Sequence, residues 1–341
     1  MGLVNGIRTD DFGNVLHTVQ FKSKRISLNL ADVHFCIRSK PPTYEADIDL
    51  SGKETIYGQT LTREFVIAQS VLARIYGQQE QGYKTLGHKL TSSADVMRSK
   101  DDYVSLLYGE LLPIGLDKAL DCSHLNVSSC RTLLELGSGV GKVALQIFLQ
   151  CRQIAYIYGC EIFQKRYSYS VGAIHKLVEL FPARLSLAQT DSNSTRILEV
   201  RGRGQSRMPH GWEHGVAFDE RCEILKDNDI DFGITRELHV EKKSFLLVEP
   251  SLVQGADIII LEIDVPEFKR EEMLTLLRHM HCGARILTYL NLADIWNSIY
   301  NFLDDFPWRQ LEVNVSTADR FATSWSPNRG HHFYLWTKFK K

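Results

Sequence analysis

A strand that runs straight into three alternating glycines, and leaves them as a helix, admits few folds. Arg131-Thr132-Leu133-Leu134-Glu135-Leu136 puts leucines on both faces of its pleat. It closes on Gly137-Ser138-Gly139-Val140-Gly141, and Lys142 to Cys151 then carries a helical pattern. Three further apolar runs are bounded in the same way: Ile154 to Cys160 ends at Glu161, Ala256 to Leu261 ends at Glu262, and Ala284 to Tyr289 follows Gly283. Strands without a polar face, alternating with helices, predict an α/β, Rossmann-like, doubly wound parallel sheet. In such sheets ligands gather outside the carboxyl ends of the strands, which is where Glu161 and Glu262 stand.

Glycines that close a strand and open a helix let the backbone approach a ligand closely. Three ligand readings compete for this loop. A P-loop needs Gly, four residues and then Gly-Lys-Ser/Thr, but Leu136 stands five before Gly141 and Val143 follows Lys142. The dinucleotide fingerprint is G-x-G-x-x-G, one residue longer than the G-x-G-x-G found here. The third ligand, S-adenosylmethionine (AdoMet), has no pyrophosphate and needs no phosphate cradle; its acidic-x-G-x-G-x-G loop matches from Glu135 through Gly137, Ser138 and Gly139 to Gly141. Glu161 lies about 20 residues past the loop, where a carboxylate accepts from both ribose hydroxyls. Asp191, after Leu185-Ser186-Leu187-Ala188, is the candidate for the adenine edge. These features predict a class I AdoMet-dependent methyltransferase fold with a mainly parallel seven-stranded sheet.

Residues 1–100 are expected to form an N-terminal cap, with a helix from Thr62 to Tyr76, and 101–341 the methyltransferase domain. Residues 192–245 are polar and glycine-rich and read as an insertion or mobile loop. Lys and Arg total 40 against 41 acids, which excludes a strongly basic body built to grip polyanions. No apolar run approaches the about 20 residues that cross a bilayer. Seven cysteines without a C-x-x-C pair suggest a reducing compartment, cytosol or nucleus. His210-Gly211-Trp212-Glu213-His214 spells a metal motif that requires a helix, but Pro209, Gly211 and Gly215 oppose one, so no metal site is expected.

Leu107-Tyr108-Gly109-Glu110-Leu111-Leu112-Pro113 resembles the Tyr-Gly-Glu loop of the disruptor-of-telomeric-silencing (non-SET) histone lysine methyltransferases. The run from Leu136 to Gly141, followed by Val143 and Leu145-Gln146, resembles theirs beyond the generic pattern, as do Ser324-Trp325-Ser326 and Phe333-Tyr334-Leu335. The resemblance implies AdoMet-dependent methylation of a lysine in the globular core of histone three within nucleosomes, by a nuclear enzyme. It implies Tyr108 and Glu110 as the lid over the cofactor's methionine end, and Glu135, Gly137 and Gly139 as its lining. Trp325, Phe333 and Tyr334 would stand near the lysine channel. The chain departs from the family at Leu112, where a Thr is usual, and at Leu261 to Phe268, where acids replace paired amides. DNA contact would be weak and confined to Lys22 to Arg25, Arg201 to Arg203 and Lys338 to Lys341.

Methyl transfer to nitrogen needs a free lone pair, so a lysine ammonium must first lose its proton. An aromatic, apolar channel disfavours the charged form and keeps water out. Trp325 and Tyr334 are the candidate walls; Glu262 and Asp264 are candidates to orient the amine or accept its proton. Two alternatives remain open. Glu262 and Glu271, nine positions apart, resemble the double-glutamate clamp of protein arginine methyltransferases. The acids after the fourth strand also suit a module that binds partners without transferring methyl groups.

Overall fold

The computed structural model describes residues 3–9, 15–21, 24–28, 61–79, 82–83, 90, 109–182, 184–199, 236–300, 305–311 and 320–339. Strands β1 (Leu3–Thr9), β2 (Val15–Phe21) and β3 (Lys24–Leu28) form a three-stranded antiparallel sheet and belong to a compact unit of their own. The second unit spans 53–201 and 233–341 and carries the elements described next. Two short strands, β4 (Gln78–Gln79) and β5 (Gly82–Tyr83), pair with each other.

The sheet of the second unit has nine strands among the described residues. In chain order they are β6 (Thr132–Leu136), β7 (Tyr156–Glu161), β8 (Leu185–Thr190), β9 (Ser194–Glu199), β10 (Arg236–Lys242), β11 (Ile258–Leu261), β12 (Arg285–Thr288), β13 (Trp308–Gln310) and a later strand, Tyr334–Lys338. A separate hairpin, β14 (Arg320–Thr323) and β15 (Ser326–His332), intervenes, so Tyr334–Lys338 is β16. The spatial order is β13-β16-β12-β11-β6-β7-β10-β9-β8. Strands β12, β11, β6, β7 and β10 run parallel, while β16, β13, β9 and β8 pair antiparallel.

Alternation along each strand makes the two cores. Leu133, Ile157 and Ile258 face one way, with helices α1 (Arg63–Tyr76), α3 (Lys142–Gln150) and α4 (Gln164–Leu180). Leu134, Tyr158 and Ile259 face the other, with α6 (Arg270–Leu277) and α7 (Leu292–Tyr300). Two shorter helices are α2 (Pro113–Leu120) and α5 (Pro250–Gln254). Burial on both faces is the doubly wound arrangement expected from the unbroken apolar runs.

Three differences from the sequence-based expectation have physical causes. Helix α1, capped by the Thr62 hydroxyl accepting from Phe65 N–H at 3.2 Å, buries Ala68, Leu72 and Ile75 in the first core. It is part of the sheet unit, which begins at Lys53 rather than near residue 101. The sheet has nine strands and not seven, because β8 and β9 extend it as an antiparallel hairpin. The stretch 192–245 is strand at both ends, since β9 and β10 lie within it, while 200–235 lies outside the described residues. In β9 the residues alternate between buried and half-buried, with Thr195, Ile197 and Glu199 inward. Glu199 hid that alternation: it is a charged residue at a core position, held by Arg236 at 2.7 Å, Arg152 at 3.0 Å and Arg184 at 2.5 Å.

Candidate active site

The carboxyl ends of β6, β7, β10 and β11 open on one cavity of about 580 Å³. The loop after β6 gives it a floor. Gly137, Gly139 and Gly141 have φ of +92°, +54° and +81°, a region that side chains with a Cβ rarely enter. A Cβ at Gly137 would also stand 2.5 Å from the Ile263 side chain. Gly141 is the N-cap of α3 and does not line the cavity. The Tyr76 hydroxyl of α1 donates to Val140 O at 2.8 Å and holds the loop from behind.

Carboxylates form the wall. Glu161, at the tip of β7, accepts from Gly139 N–H at 2.9 Å and from Phe163 N–H at 2.8 Å, which fixes its orientation toward the cavity. Ile162 N–H is a third backbone donor to it, and a carboxylate's about four lone-pair directions still leave acceptor capacity for a hydroxyl. Glu135 lies beneath the start of α3, accepting from Ala144 N–H at 2.9 Å. Burial drives its pKa well above the carboxylate range, with Glu262 and Glu161 pushing the same way. Burial also raises Glu161, against the pull of its backbone donors. Glu262, just past β11, is pushed up to about 8 by burial and then by Glu110, despite the Leu111 N–H that it accepts. Its Oε1 is buried and has no hydrogen-bond partner among the described residues.

Of the cations on this wall, Arg166 lies over the Phe163 ring at 4.8 Å, and the three lysines are near acids. Lys142 meets Glu110 at 2.6 Å, Lys269 meets Glu272 at 2.7 Å, and Lys243 lies 3.6 Å from Glu241. Glu262 and Glu161 raise Glu135, and Glu110 raises Glu262, so a cation in the cavity would favour the ionised form of both.

Glu110 belongs to a lid over the cavity, tied to β14 and the residue after it. Leu111 bridges Thr323, Leu112 N–H donates to Ala322 O at 2.8 Å, and Ser324 N–H donates to Glu110 O at 2.8 Å. Gly109 lies directly on the Trp325 indole, leaving no room there for a Cβ.

Of the residues expected at the site, Glu110, Glu135, Gly137, Ser138, Gly139, Glu161, Glu262 and Asp264 line this one cavity. Tyr108 lies outside the described residues, as do His210 to His214. Asp191 is not brought to the cavity. It sits exposed in the β8–β9 turn, where it accepts from Asn193 N–H and Ser194 N–H, each at 2.8 Å, and these hold its pKa below the usual carboxylate range. The strand beside β7 is β10, so the position expected for Asp191 is filled by Lys243, Ser244 and Phe245, which do line the cavity. Charges in Arg236-Glu237-Leu238-His239-Val240-Glu241-Lys242 disguised that strand; the apolar run Phe245 to Val248 behind it was the available signal.

Trp325 is 46% exposed and touches the lid from outside the cavity. Tyr334 stacks on Trp336 against the second core, and Phe333 is buried in the first; neither lines the cavity. Glu271 is exposed on α6 and off the wall, so the Glu262–Glu271 clamp is not assembled. No described group of His, Cys, Asp and Glu is arranged to hold a metal, and no described helix is long and apolar enough to cross a membrane.

Residues 88–187 match the family model described as histone methylation protein DOT1. This is an AdoMet-dependent methyltransferase. The matched segment contains the lid residues Gly109 and Glu110, the glycine loop and Glu161, so the resemblance seen in the sequence is shown where the cavity is built. No curated protein matches the chain. Among solved structures, a tRNA methyltransferase from Aquifex aeolicus is 11% identical with a TM-score of 0.36, covering 96% of this chain and 97% of its own. An O-methyltransferase from Klebsiella pneumoniae, described as putative by name, is 9% identical with a TM-score of 0.35, covering 82% and 91%. An rRNA methylase from Streptococcus thermophilus is 9% identical with a TM-score of 0.32, covering 63% and 93%. The fold assignment rests on the sheet order and not on these likenesses.

The residues present fit AdoMet. The positive-φ loop leaves the backbone open to a ligand, Glu161 presents a carboxylate at the cavity, and Glu262 has an oxygen with no partner among the described residues.

Proposed function

We propose that this chain methylates a lysine in the globular core of histone three within nucleosomes, and that it works in the nucleus. The observation that carries this reading is the acid-walled cavity under the lid, with Glu262 Oε1 buried and unpaired. Bound AdoMet would supply an electrophilic methyl group on a sulfonium. Glu161 would accept from the ribose with the capacity that Gly139, Phe163 and Ile162 leave unused, and Phe245 would wall the base.

Glu262 has two tasks in this scheme. Its free oxygen accepts a hydrogen bond from the incoming ammonium and aims the nitrogen into the cavity. It then takes the proton that a lysine must shed. An exposed lysine, near pKa 10.4, is too basic for that transfer. Desolvation lowers the lysine and has already raised Glu262 to about 8, so the two groups approach a match. Asp264 is a second acid on the same wall. Trp325, on the outer face of Gly109, would meet the histone chain at the lid and not the side chain inside.

The test is transfer of labelled methyl from AdoMet to nucleosomes, free histone and peptide. Label on a lysine of nucleosomal histone three is the expected result. Label on arginine, or AdoMet binding without transfer to any of the three, would overturn the assignment.

A further inference from the structure

We propose that Arg166 is a positioning residue for the ribose end of the cavity: its guanidinium is the countercharge that keeps Glu161 an ionised acceptor, and so makes the site select free ribose hydroxyls; this rests on the AdoMet reading of the cavity. Three glutamates, Glu135, Glu161 and Glu262, line the cavity, and burial favours the protonated form of each. Neighbouring acids push Glu135 and Glu262 further in that direction. Glu161 faces an acid too, in Glu135 of β6, but it is drawn back by Phe163 N–H, by the Arg166 guanidinium and by the N–H groups of Gly139 and Ile162. A carboxylate accepts a hydroxyl more strongly than a neutral carboxyl does. The glutamate placed to meet the ribose is thus the one beside which the fold sets a cation.

The pair is built into one turn. Strand β7 ends at Glu161 and α4 begins at Gln164, so Arg166 stands in the first turn of the helix. Only 3% of it is exposed, although it lies on the cavity wall. A guanidinium is costly to bury unless anions or hydrogen bonds compensate it. It lies over the Phe163 ring at 4.8 Å, and Phe163 N–H donates to Glu161 Oε1 at 2.8 Å. Glu161 Oε2 accepts from Gly139 N–H at 2.9 Å, so the same carboxylate ties this turn to the glycine loop. The lysines of the wall are near acids of their own: Lys142 by Glu110, Lys269 by Glu272 and Lys243 by Glu241. The rival role for Arg166 is purely mechanical, propping Phe163 and the shape of the turn without acting through Glu161.

The analogue of AdoMet that lacks both ribose hydroxyls separates the two roles, because it offers Glu161 nothing to accept. Calorimetric titration of AdoMet and of this analogue into the full chain and into Arg166→Met is the experiment. A charge-assisted hydrogen bond is about twice as strong as a neutral one, so Arg166→Met should weaken AdoMet roughly tenfold and the analogue by less than about threefold. Arg166→Lys, which keeps the charge, should recover most of the lost affinity. In a Glu161→Gln chain the further change Arg166→Met should cost less than about twofold, because the group it acts through is gone. Equal weakening of both ligands by Arg166→Met, or the full tenfold loss on top of Glu161→Gln, would leave only the mechanical role and overturn the proposal. Unchanged AdoMet affinity in Arg166→Met would overturn it as well, as would equal affinity of the unaltered chain for the two ligands. If Arg166→Met does not fold, Arg166→Gln, which keeps a polar stem and loses the charge, decides by the same comparison. If the unaltered chain binds neither ligand, the AdoMet reading itself fails, a result distinct from loss of the hydroxyl preference alone.

Discussion

Glu199 and Glu262 are buried glutamates of the same unit, and their surroundings drive them in opposite directions. Glu199, at the end of β9, is ringed by three guanidiniums that overcome its burial and lower its pKa to about 2. Glu262, past β11, has among the described residues no guanidinium partner and an oxygen with no partner at all, and it has a neighbouring acid in Glu110; its pKa rises to about 8. The first carboxylate is neutralised by the fold. The second has one oxygen without a partner among the described residues. A charge whose partners are all supplied by the chain marks architecture, and one whose partners are withheld at a cavity marks function.

The sharpest way to break this contrast is Glu199→Ala. It would leave Arg236, whose side chain is 1% exposed, without its carboxylate. Removing one partner of such a buried pair costs about 3–5 kcal/mol, so a large drop in denaturant midpoint is expected. AdoMet affinity of the folded fraction should be nearly unchanged. Glu262→Gln should do the reverse. Methyl transfer should fall by about a hundredfold, as when a general base is removed, while thermal stability at neutral pH is kept or improved.

The pH dependence sharpens the comparison with opposite signs. Glu199 is depressed from 4.5 to about 2, so its stabilisation is present above 4.5 and is lost as pH falls through about 2. Glu262 is raised from 4.5 to about 8, so the folded state is favoured below 4.5 and loses stability as pH rises through about 8. Denaturation of the unliganded protein across this range should show both slopes. Glu199→Gln should remove the acid limb and Glu262→Gln the alkaline one. A cationic ligand favours ionised Glu262, whose ionised fraction rises about fiftyfold between pH 6 and 8, so AdoMet affinity should strengthen over that range by at most about that factor. Flat affinity in the unaltered chain would remove Glu262 from the ligand's surroundings. The smallest effect is expected at Asp191→Asn, where AdoMet affinity should change by less than about twofold, because that side chain serves its own turn.

What the sequence revealed follows the same division. The parallel strands were legible because Leu133, Leu134, Ile258 and Ile259 bury both faces and leave no competing pattern. The loop and Glu161 were legible because backbone geometry restricts them to glycine and an acid at fixed spacing. Strands β9 and β10 were hidden, because Glu199, Arg236 and His239 occupy buried positions and disrupt the apolar alternation. Missing β10 shifted the third strand onto β8, and with it the adenine-side assignment onto Asp191. Lys142 carries no recognisable motif, since Val143 follows it where a P-loop has Ser or Thr. Its contact with Glu110 joins residues 32 apart in the chain, which no local pattern reports.

Calorimetric titration of AdoMet into the full chain, with Gly137→Arg as its control, bears most directly on the cavity. The account predicts one ligand per chain, with binding abolished by the arginine that would enter beside Ile263 from a positive-φ position. No heat with the unaltered chain, or equal affinity in the folded variant, would contradict it.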